Sequence, residues 1–304
     1  MKQTGATPTP EAYIPGTCAS FRPHKGAASN RIWLPLIVLG SMAVADSSNA
    51  APPVALPDLA PHLAVYALDL KSAKLGGGIT GVSGRMTYKF GDSCDGWTVE
   101  NRTNLTFSYS DGAPVETLWN FVAWESKDGR QYRFRVRSLR DGTLSEEIDG
   151  TATLSLGRGG TAKFSQPEPR IMILPTGTRF PTDHTLRMLK TASKGGHLVS
   201  APLFDGSTAD GVVDVSVAIG NVLPSGTPDR ETDNPAVDKN LLAVPSWPVQ
   251  MAFFSPDQQD AVPDYEITLR YYGNGVADEM IQSFGSFSLK GRLERLEMLP
   301  KPDC

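Results

Sequence analysis

Apolar and polar residues alternate along most of the chain after residue 61, and the clearest case is the segment 131–137. Its apolar positions are Tyr132, Phe134 and Val136. Its basic positions are Arg133, Arg135 and Arg137. Because successive side chains of a strand point to opposite faces, this pattern predicts a half-buried strand with one apolar and one basic face.

Further strands are predicted by similar patterns, most of them bounded by Gly, Asp or Asn turn residues. They cover residues 62–70, 79–90, 97–109, 115–124, 143–156, 161–174, 197–204, 211–222, 247–254, 265–272, 276–284 and 286–299. Gly81 and Gly84 fall inside one of them and predict a bend or bulge. The segment 224–245 is rich in Pro, Asp and Asn, which predicts a long surface loop.

One helix is predicted among these strands, at roughly 183–193. The helix comes after Pro181, and either Thr182 or Asp183 can cap its first turn. The pair Gly195-Gly196 ends it. With many strands and one helix, the expected fold is mainly β: a large, strongly curved antiparallel sheet that the helix plugs.

The first fifty residues predict export. Four basic residues precede an apolar run, Ile32 to Val44, whose thirteen residues are too few for a bilayer span of about twenty. Small-residue sites follow at Ala43-Val44-Ala45 and Ser48-Asn49-Ala50. We therefore expect residues 1–50 to be a cleaved signal peptide, 51–61 a Pro-rich lead-in and 62–304 a single domain. The alternative is an uncleaved N-terminal anchor.

Charge and cysteine content refine this expectation. The chain has a net charge of −4, and the first fifty residues hold four Lys/Arg against two Asp/Glu, so the exported part is more acidic still. This charge does not suggest nucleic-acid binding, and no later apolar run is long enough to cross a membrane. Removal of the signal would leave two cysteines, Cys94 and Cys304, which predict a disulfide in an oxidising compartment. Two free thiols, or a terminal thiol paired between chains, are the alternatives.

The sequence offers little catalytic chemistry, and we predict no cofactor, metal site or enzymatic activity. His184 follows Asp183, but adjacent helix residues point in different directions, so a helix start with a partly buried His is favoured over a general base. A hydrolase using His184 or His197 is a third, weaker hypothesis. Asp92 and Asp95 are expected to be turn residues.

Two features have more than one interpretation. The stripe of Arg133, Arg135 and Arg137, spaced about 6.6–6.8 Å apart, could hold an acidic partner or lipid headgroups, or could be a solvated face paired with Glu146, Glu147 or Asp149. The aromatic residues of the sheet could fill a core or line a cavity for an acyl chain. They are Trp97, Phe107, Trp119, Phe121, Tyr132, Phe134, Tyr265 and Tyr271.

Four segments carry a resemblance to a known family: APHLAVY at 60–66, GDSCDGW at 91–97, LPTGTRFPTDH at 174–184 and LPKPDC at 299–304. Together they resemble the EipB family of periplasmic cell-envelope integrity proteins of alphaproteobacteria. The resemblance implies a β-spiral, a broken barrel wrapped around one central α-helix, with one disulfide that maps onto Cys94 and Cys304.

The resemblance also implies a non-enzymatic role in envelope integrity, with a periplasmic tetratricopeptide-repeat protein as partner. The first functional hypothesis is therefore a periplasmic protein that binds another protein. The alternative is a carrier or sensor of a lipid or other amphiphile, held between the curved sheet and the helix.

Overall fold

The computed structural model describes residues 54–155, 157–227, 234–255 and 262–304. Within these ranges the chain forms fourteen strands and two helices. In chain order they are β1 (His62–Ala73), β2 (Ile79–Asp92), β3 (Gly96–Tyr109), β4 (Val115–Ser126), β5 (Gln131–Arg140), β6 (Thr143–Ser155), β7 (Gly159–Gln166), β8 (Arg170–Leu174), α1 (Pro181–Ser193), β9 (Leu198–Leu203), β10 (Val213–Ile219), α2 (Lys239–Leu242), β11 (Ser246–Phe254), β12 (Tyr265–Tyr272), β13 (Ala277–Ser283) and β14 (Phe287–Met298). The predicted signal peptide, residues 1–50, lies outside the described residues.

All fourteen strands belong to one antiparallel sheet in the order β8-β7-β6-β5-β4-β3-β2-β1-β14-β13-β12-β11-β10-β9. β1 and β14, the first and last strands along the chain, pair with each other near the middle of the sheet. The two outermost strands, β8 and β9, are not paired with each other in the described part of the chain, and α1 connects them. The sheet is therefore open, which confirms the predicted mainly β, broken-barrel architecture around one central helix.

The alternation in β5 is confirmed residue by residue. Tyr132, Phe134 and Val136 are buried, and the three arginines between them are exposed. Gly84 of β2 shows why a glycine is needed within a strand, because a Cβ there would collide with the backbone oxygen of Asn104 on β3. The predicted irregularity is found at Gly81, where the β2–β3 register shifts, but not at Gly84, which pairs with Leu105 without a shift.

Helix α1 begins two residues earlier than expected, and the predicted cap is wrong. The N-cap is Phe180, whose side chain makes no capping hydrogen bond, and Pro181 follows as the first helical residue. Proline is favoured there because it has no N–H to leave unpaired. Thr182 and Asp183 are therefore inside the first turn, where their own N–H groups need acceptors.

The C-terminal end of α1 agrees with the prediction. Gly195 adopts a φ of 77°, in the left-handed region that glycine enters without steric cost. Its N–H donates to the carbonyl of Ala192, and the N–H of Gly196 donates to that of Thr191. The two glycines thus satisfy the last carbonyls of the helix.

The inner side of α1 is packed against the sheet. Met188, Leu189 and Ala192 are 0%, 2% and 4% exposed and belong to a cluster with apolar residues of β9 to β12. Burial of a side chain of the size of Met or Leu stabilises the fold by roughly 1.5–3 kcal/mol. These contacts hold the helix in the curve of the sheet.

Aromatic residues mainly fill the core. Tyr132 and Phe134 of β5 form a ring cluster with Phe164, Phe180 and Phe204, with ring centroids 4.9–6.5 Å apart. Of the eight aromatic residues singled out in the sequence, three are buried: Phe121, Tyr132 and Phe134. The other five, which are Trp97, Phe107, Trp119, Tyr265 and Tyr271, are half-buried.

Two segments differ from the prediction, and the described part of the lead-in agrees with it. The strand expected at 161–174 is two strands, β7 and β8, separated at Pro167, which has no N–H for a ladder. The surface loop expected at 224–245 instead contains α2 and buries Val237 and Leu241, at 6% and 1% exposure. The lead-in has no regular structure from residue 54 to 61, but Leu59 is 5% exposed in the α1 cluster.

Candidate functional site

The three arginines of β5 lie on the outer face of the sheet with different partners. Arg135 pairs with Asp149 of β6, its Nη2 lying 2.6 Å from Oδ2. The guanidinium of Arg133 lies 5.1 Å from the ring centre of Trp124. Arg137 is opposite Glu147 in the register, yet within the described residues neither Arg133 nor Arg137 forms an ion pair. The acidic pairing considered for this face is thus found for one arginine of three.

Apolar side chains adjoin the arginines. In the β4–β5 register Val122 is opposite Arg135 and Trp124 is opposite Arg133, so these residues share the outer face. Val122 is 50% exposed. We call the five residues Val122, Trp124, Arg133, Arg135 and Arg137 the arginine face. A mixture of Arg, Trp and exposed aliphatic area is typical of protein-binding surfaces.

A buried carboxylate caps α1 from another strand. Glu125 of β4 is 3% exposed, and its Oε2 and Oε1 accept hydrogen bonds from the backbone N–H groups of Thr182 and Asp183 at 2.7 and 2.8 Å. Burial raises the pKa of Glu125 to about 7, although the two backbone donors act in the opposite direction. This residue was missed in the sequence, where the available signal is its position on the buried side of β4, after Phe121 and Ala123.

His184 and Asp183 do not act together. The Asp183 carboxylate pairs with Arg179 at 2.9 Å. The His184 ring is 3% exposed, and burial lowers its pKa. His197 bonds the Ile219 carbonyl through Nδ1 at 2.9 Å. In neither case is the histidine hydrogen-bonded to a side chain that could act as a nucleophile within the described residues.

Cys94 and Cys304 form a disulfide in the structure, with their Cα atoms 5.7 Å apart. The bond joins the β2–β3 turn to the end of the chain, 210 positions away. Asp92 holds the turn, since its Oδ1 accepts from the Cys94 N–H at 2.9 Å, and it also pairs with Lys127. Within the described residues no group of three or more His, Cys, Asp and Glu residues is arranged to hold a metal ion.

None of the helices in the described part of the chain has the length and apolar character required to cross a membrane. The fold and the surface define a β-barrel-like protein whose antiparallel sheet stays open around a helix and presents a cationic strand face.

Comparison with known proteins agrees with this class. The EipB-like family model matches residues 53–300, so the chain belongs to the EipB-like family. The cell envelope integrity protein EipB of Brucella abortus (strain 2308) is 33% identical over 257 residues, covering 84% of this chain and 89% of that protein. The family is thus one of cell envelope integrity proteins, named for that role and not for an enzymatic activity.

A solved structure is also similar. The crystal structure of a β-barrel-like protein from Brucella abortus, described as a domain of unknown function, matches with a TM-score of 0.73 and 32% identity. The match covers 81% of this chain and all of that one. The fold and the family predicted from the four sequence segments are therefore both confirmed.

Proposed function

We propose that this chain is exported to the periplasm and maintains cell-envelope integrity there, without catalysis, by binding a partner protein through the arginine face. The relative's name supports the envelope role. The Cys94–Cys304 disulfide supports an oxidising compartment. The main support for this binding site is that Arg133 and Arg137 are exposed and form no ion pair within the described residues. Val122 beside them is half-exposed.

The arginine face requires an acidic partner with some apolar surface. Arg133 lies over the Trp124 ring, so less side-chain entropy is lost when a carboxylate approaches it. Arg135 is already neutralised by Asp149 and contributes less. The family resemblance implies a periplasmic tetratricopeptide-repeat protein, and such repeats offer the extended concave surface that a strand face of this length can occupy.

The test is capture of partners from periplasm by the tagged wild-type chain and by a variant with Arg133, Arg135 and Arg137 all changed to Glu. Each residue is exposed, so the variant should fold. We expect the captured partner to be lost. Recovery of the same partner at wild-type yield would remove the arginine face from the proposal.

A matched control reverses three basic residues elsewhere on the sheet, Arg85, Lys89 and Arg292, which changes the net charge by the same amount. These residues pair with acids on β3 and β14. We expect the control variant to capture the partner as the wild type does. Equal loss in both variants would show that total charge, and not the arginine face, controls capture.

The alternative, an amphiphile held between the sheet and α1, stays a prediction. The buried inner side of the helix, with Met188, Leu189 and Ala192 packed on β9 to β12, favours partner binding over it. Mass spectrometry of gently purified protein tests the alternative directly, since a stoichiometric amphiphile enclosed by these residues would support it.

A further inference from the structure

A half-open cavity of about 510 Å³ lies beside α1. Its walls come from the lead-in, the ends of β2 and β3, the β4–β5 turn, the helix and the C-terminal tail. The volume is within the roughly 300–1,000 Å³ that is usual for small-molecule sites.

One side of this cavity is apolar. Leu56 of the lead-in and Leu186 and Leu189 of α1 line it together with Trp97. Leu186 is 40% exposed, although it lies on a helix whose other outward positions are polar or charged. An apolar chain in the cavity would cover this leucine, which the described residues leave partly exposed.

The cavity is also lined by basic residues. Lys127, Lys190 and Lys301 line it, against two carboxylates, Asp58 and Asp92. Asp92 forms an ion pair with Lys127, whose Nζ lies 2.9 Å from the Asp92 Oδ1. Within the described residues Lys190 and Lys301 form no ion pair. The cavity lining therefore carries one more positive than negative charge. Lys301 acts on the Asp92 carboxyl, since its charge helps to lower the pKa of that group, and the ammonium groups of Lys190 and Lys301 can still contact an anion.

Trp97 connects the apolar and basic parts. Its ring lies 4.7 Å from the Lys127 Nζ and stacks on Phe90. Its indole nitrogen is buried and has no hydrogen-bond partner within the described residues.

The disulfide places one of the lysines. Lys301 is three residues before Cys304, which is bonded to Cys94, and Cys94 in turn donates its N–H to Asp92. The bond therefore holds the C-terminal tail near the cavity and brings Lys301 to a lining that is otherwise formed by distant segments.

We propose that this cavity binds an anionic amphiphile, with its head at Lys190 and Lys301 and its acyl chain along Leu56, Leu186 and Trp97. The shared chemistry is one acyl chain with a carboxylate or phosphate head, from a free fatty acid or a lysophospholipid. This site shares no lining residue with the arginine face, and it is half-open, unlike an enclosed site between the sheet and the helix.

The test is calorimetric titration of the oxidised chain, from residue 51 to 304, with three amphiphiles below their micelle concentrations: oleate, lysophosphatidylglycerol and uncharged monoolein. We expect one molecule bound per chain, with either anionic amphiphile at least about tenfold tighter than monoolein, since charge-assisted contacts are worth about that factor. The tighter of the two anionic amphiphiles identifies the head group. Equal affinity for monoolein, or no binding of any of the three, would overturn the proposal.

Variants test the placement. Changing Lys190 and Lys301 together to Gln should remove the preference for the anionic amphiphiles, and the control change of exposed Lys71 and Lys163 to Gln should leave it intact. Leu186→Ala should weaken all three amphiphiles by a similar factor. Retention of the full preference after the Lys190/Lys301 change would contradict the proposed head site.

Discussion

Glu125→Gln tests the cap that joins the sheet to α1. The substitution keeps the size of the side chain and one acceptor oxygen but removes the charge. In the wild type the carboxylate is buried and accepts from the N–H groups of Thr182 and Asp183. The folded-state pKa is about 7, raised from 4.5 chiefly by burial. The folded chain therefore binds this proton more tightly than the unfolded chain.

The direction of the pH effect follows from the coupling of proton binding to folding. Because the pKa of Glu125 is higher in the folded state, its contribution to stability is fully present below about pH 4.5 and is lost as the pH rises through about 7. A pKa rise of this size corresponds to roughly 3 kcal/mol in total, at about 1.4 kcal/mol per pH unit. Most of this free energy, roughly 2–3 kcal/mol, changes between pH 5 and pH 8.

The assay is urea unfolding at pH 5 and pH 8 with the disulfide intact, followed by circular dichroism. On going from pH 8 to pH 5, the free energy of unfolding of the wild type should rise by roughly 2–3 kcal/mol more than that of Glu125→Gln. Other titrating groups, such as His62 and His184, whose pKa values are lowered by burial, cancel in this difference.

Glu116→Gln, at an exposed position of the same strand, is the matched control and should behave as the wild type does. The reasoning fails if Glu125→Gln shows the same pH dependence as the wild type, or if the difference has the opposite sign.

Three further predictions concern stability. Cys94→Ser should lower the melting temperature, because the chain-entropy model assigns the disulfide up to about 5 kcal/mol of unfolding free energy. It should leave partner capture by the arginine face intact. An unchanged melting temperature would contradict this prediction. Gly84→Ala should cost about 1–3 kcal/mol in urea unfolding, because its Cβ meets the Asn104 backbone. Leu241→Ala in α2 should lower the free energy of unfolding by about 2–5 kcal/mol, because Leu241 is buried. The control Leu144→Ala, at a position 46% exposed, should change it by less than about 0.5 kcal/mol. Equal effects of the two substitutions would refute the packing of α2.

The sequence predicted the strands well because their signal is local. In β5 a period of two residues is sufficient to separate the buried Tyr132 from the exposed Arg133. The end of α1 is equally local, since Gly195 supplies the left-handed residue within its own turn. These features depend only on neighbours in the chain.

The remaining features depend on residues distant in the sequence. Glu125 caps a helix that begins 56 positions later, and no local pattern indicates which helix a strand carboxylate will meet. Leu241 is buried in a cluster that includes leucines of β14, about 50 positions later in the chain. The cavity near Trp97 includes a residue of the C-terminal tail, which the disulfide holds in place. The arginine stripe was predicted, but the different partners of its three members were not.

Complementation tests the central claim most directly, that this chain maintains the envelope by binding through the arginine face. A strain of the source bacterium lacking the gene would receive the wild type, the Arg133/Arg135/Arg137→Glu variant, or the Arg85/Lys89/Arg292→Glu control, and growth on detergent would be measured with the protein level of each. We predict that the wild type and the control restore resistance and that the arginine-face variant, at an equal protein level, does not. Full restoration by the arginine-face variant would contradict the account.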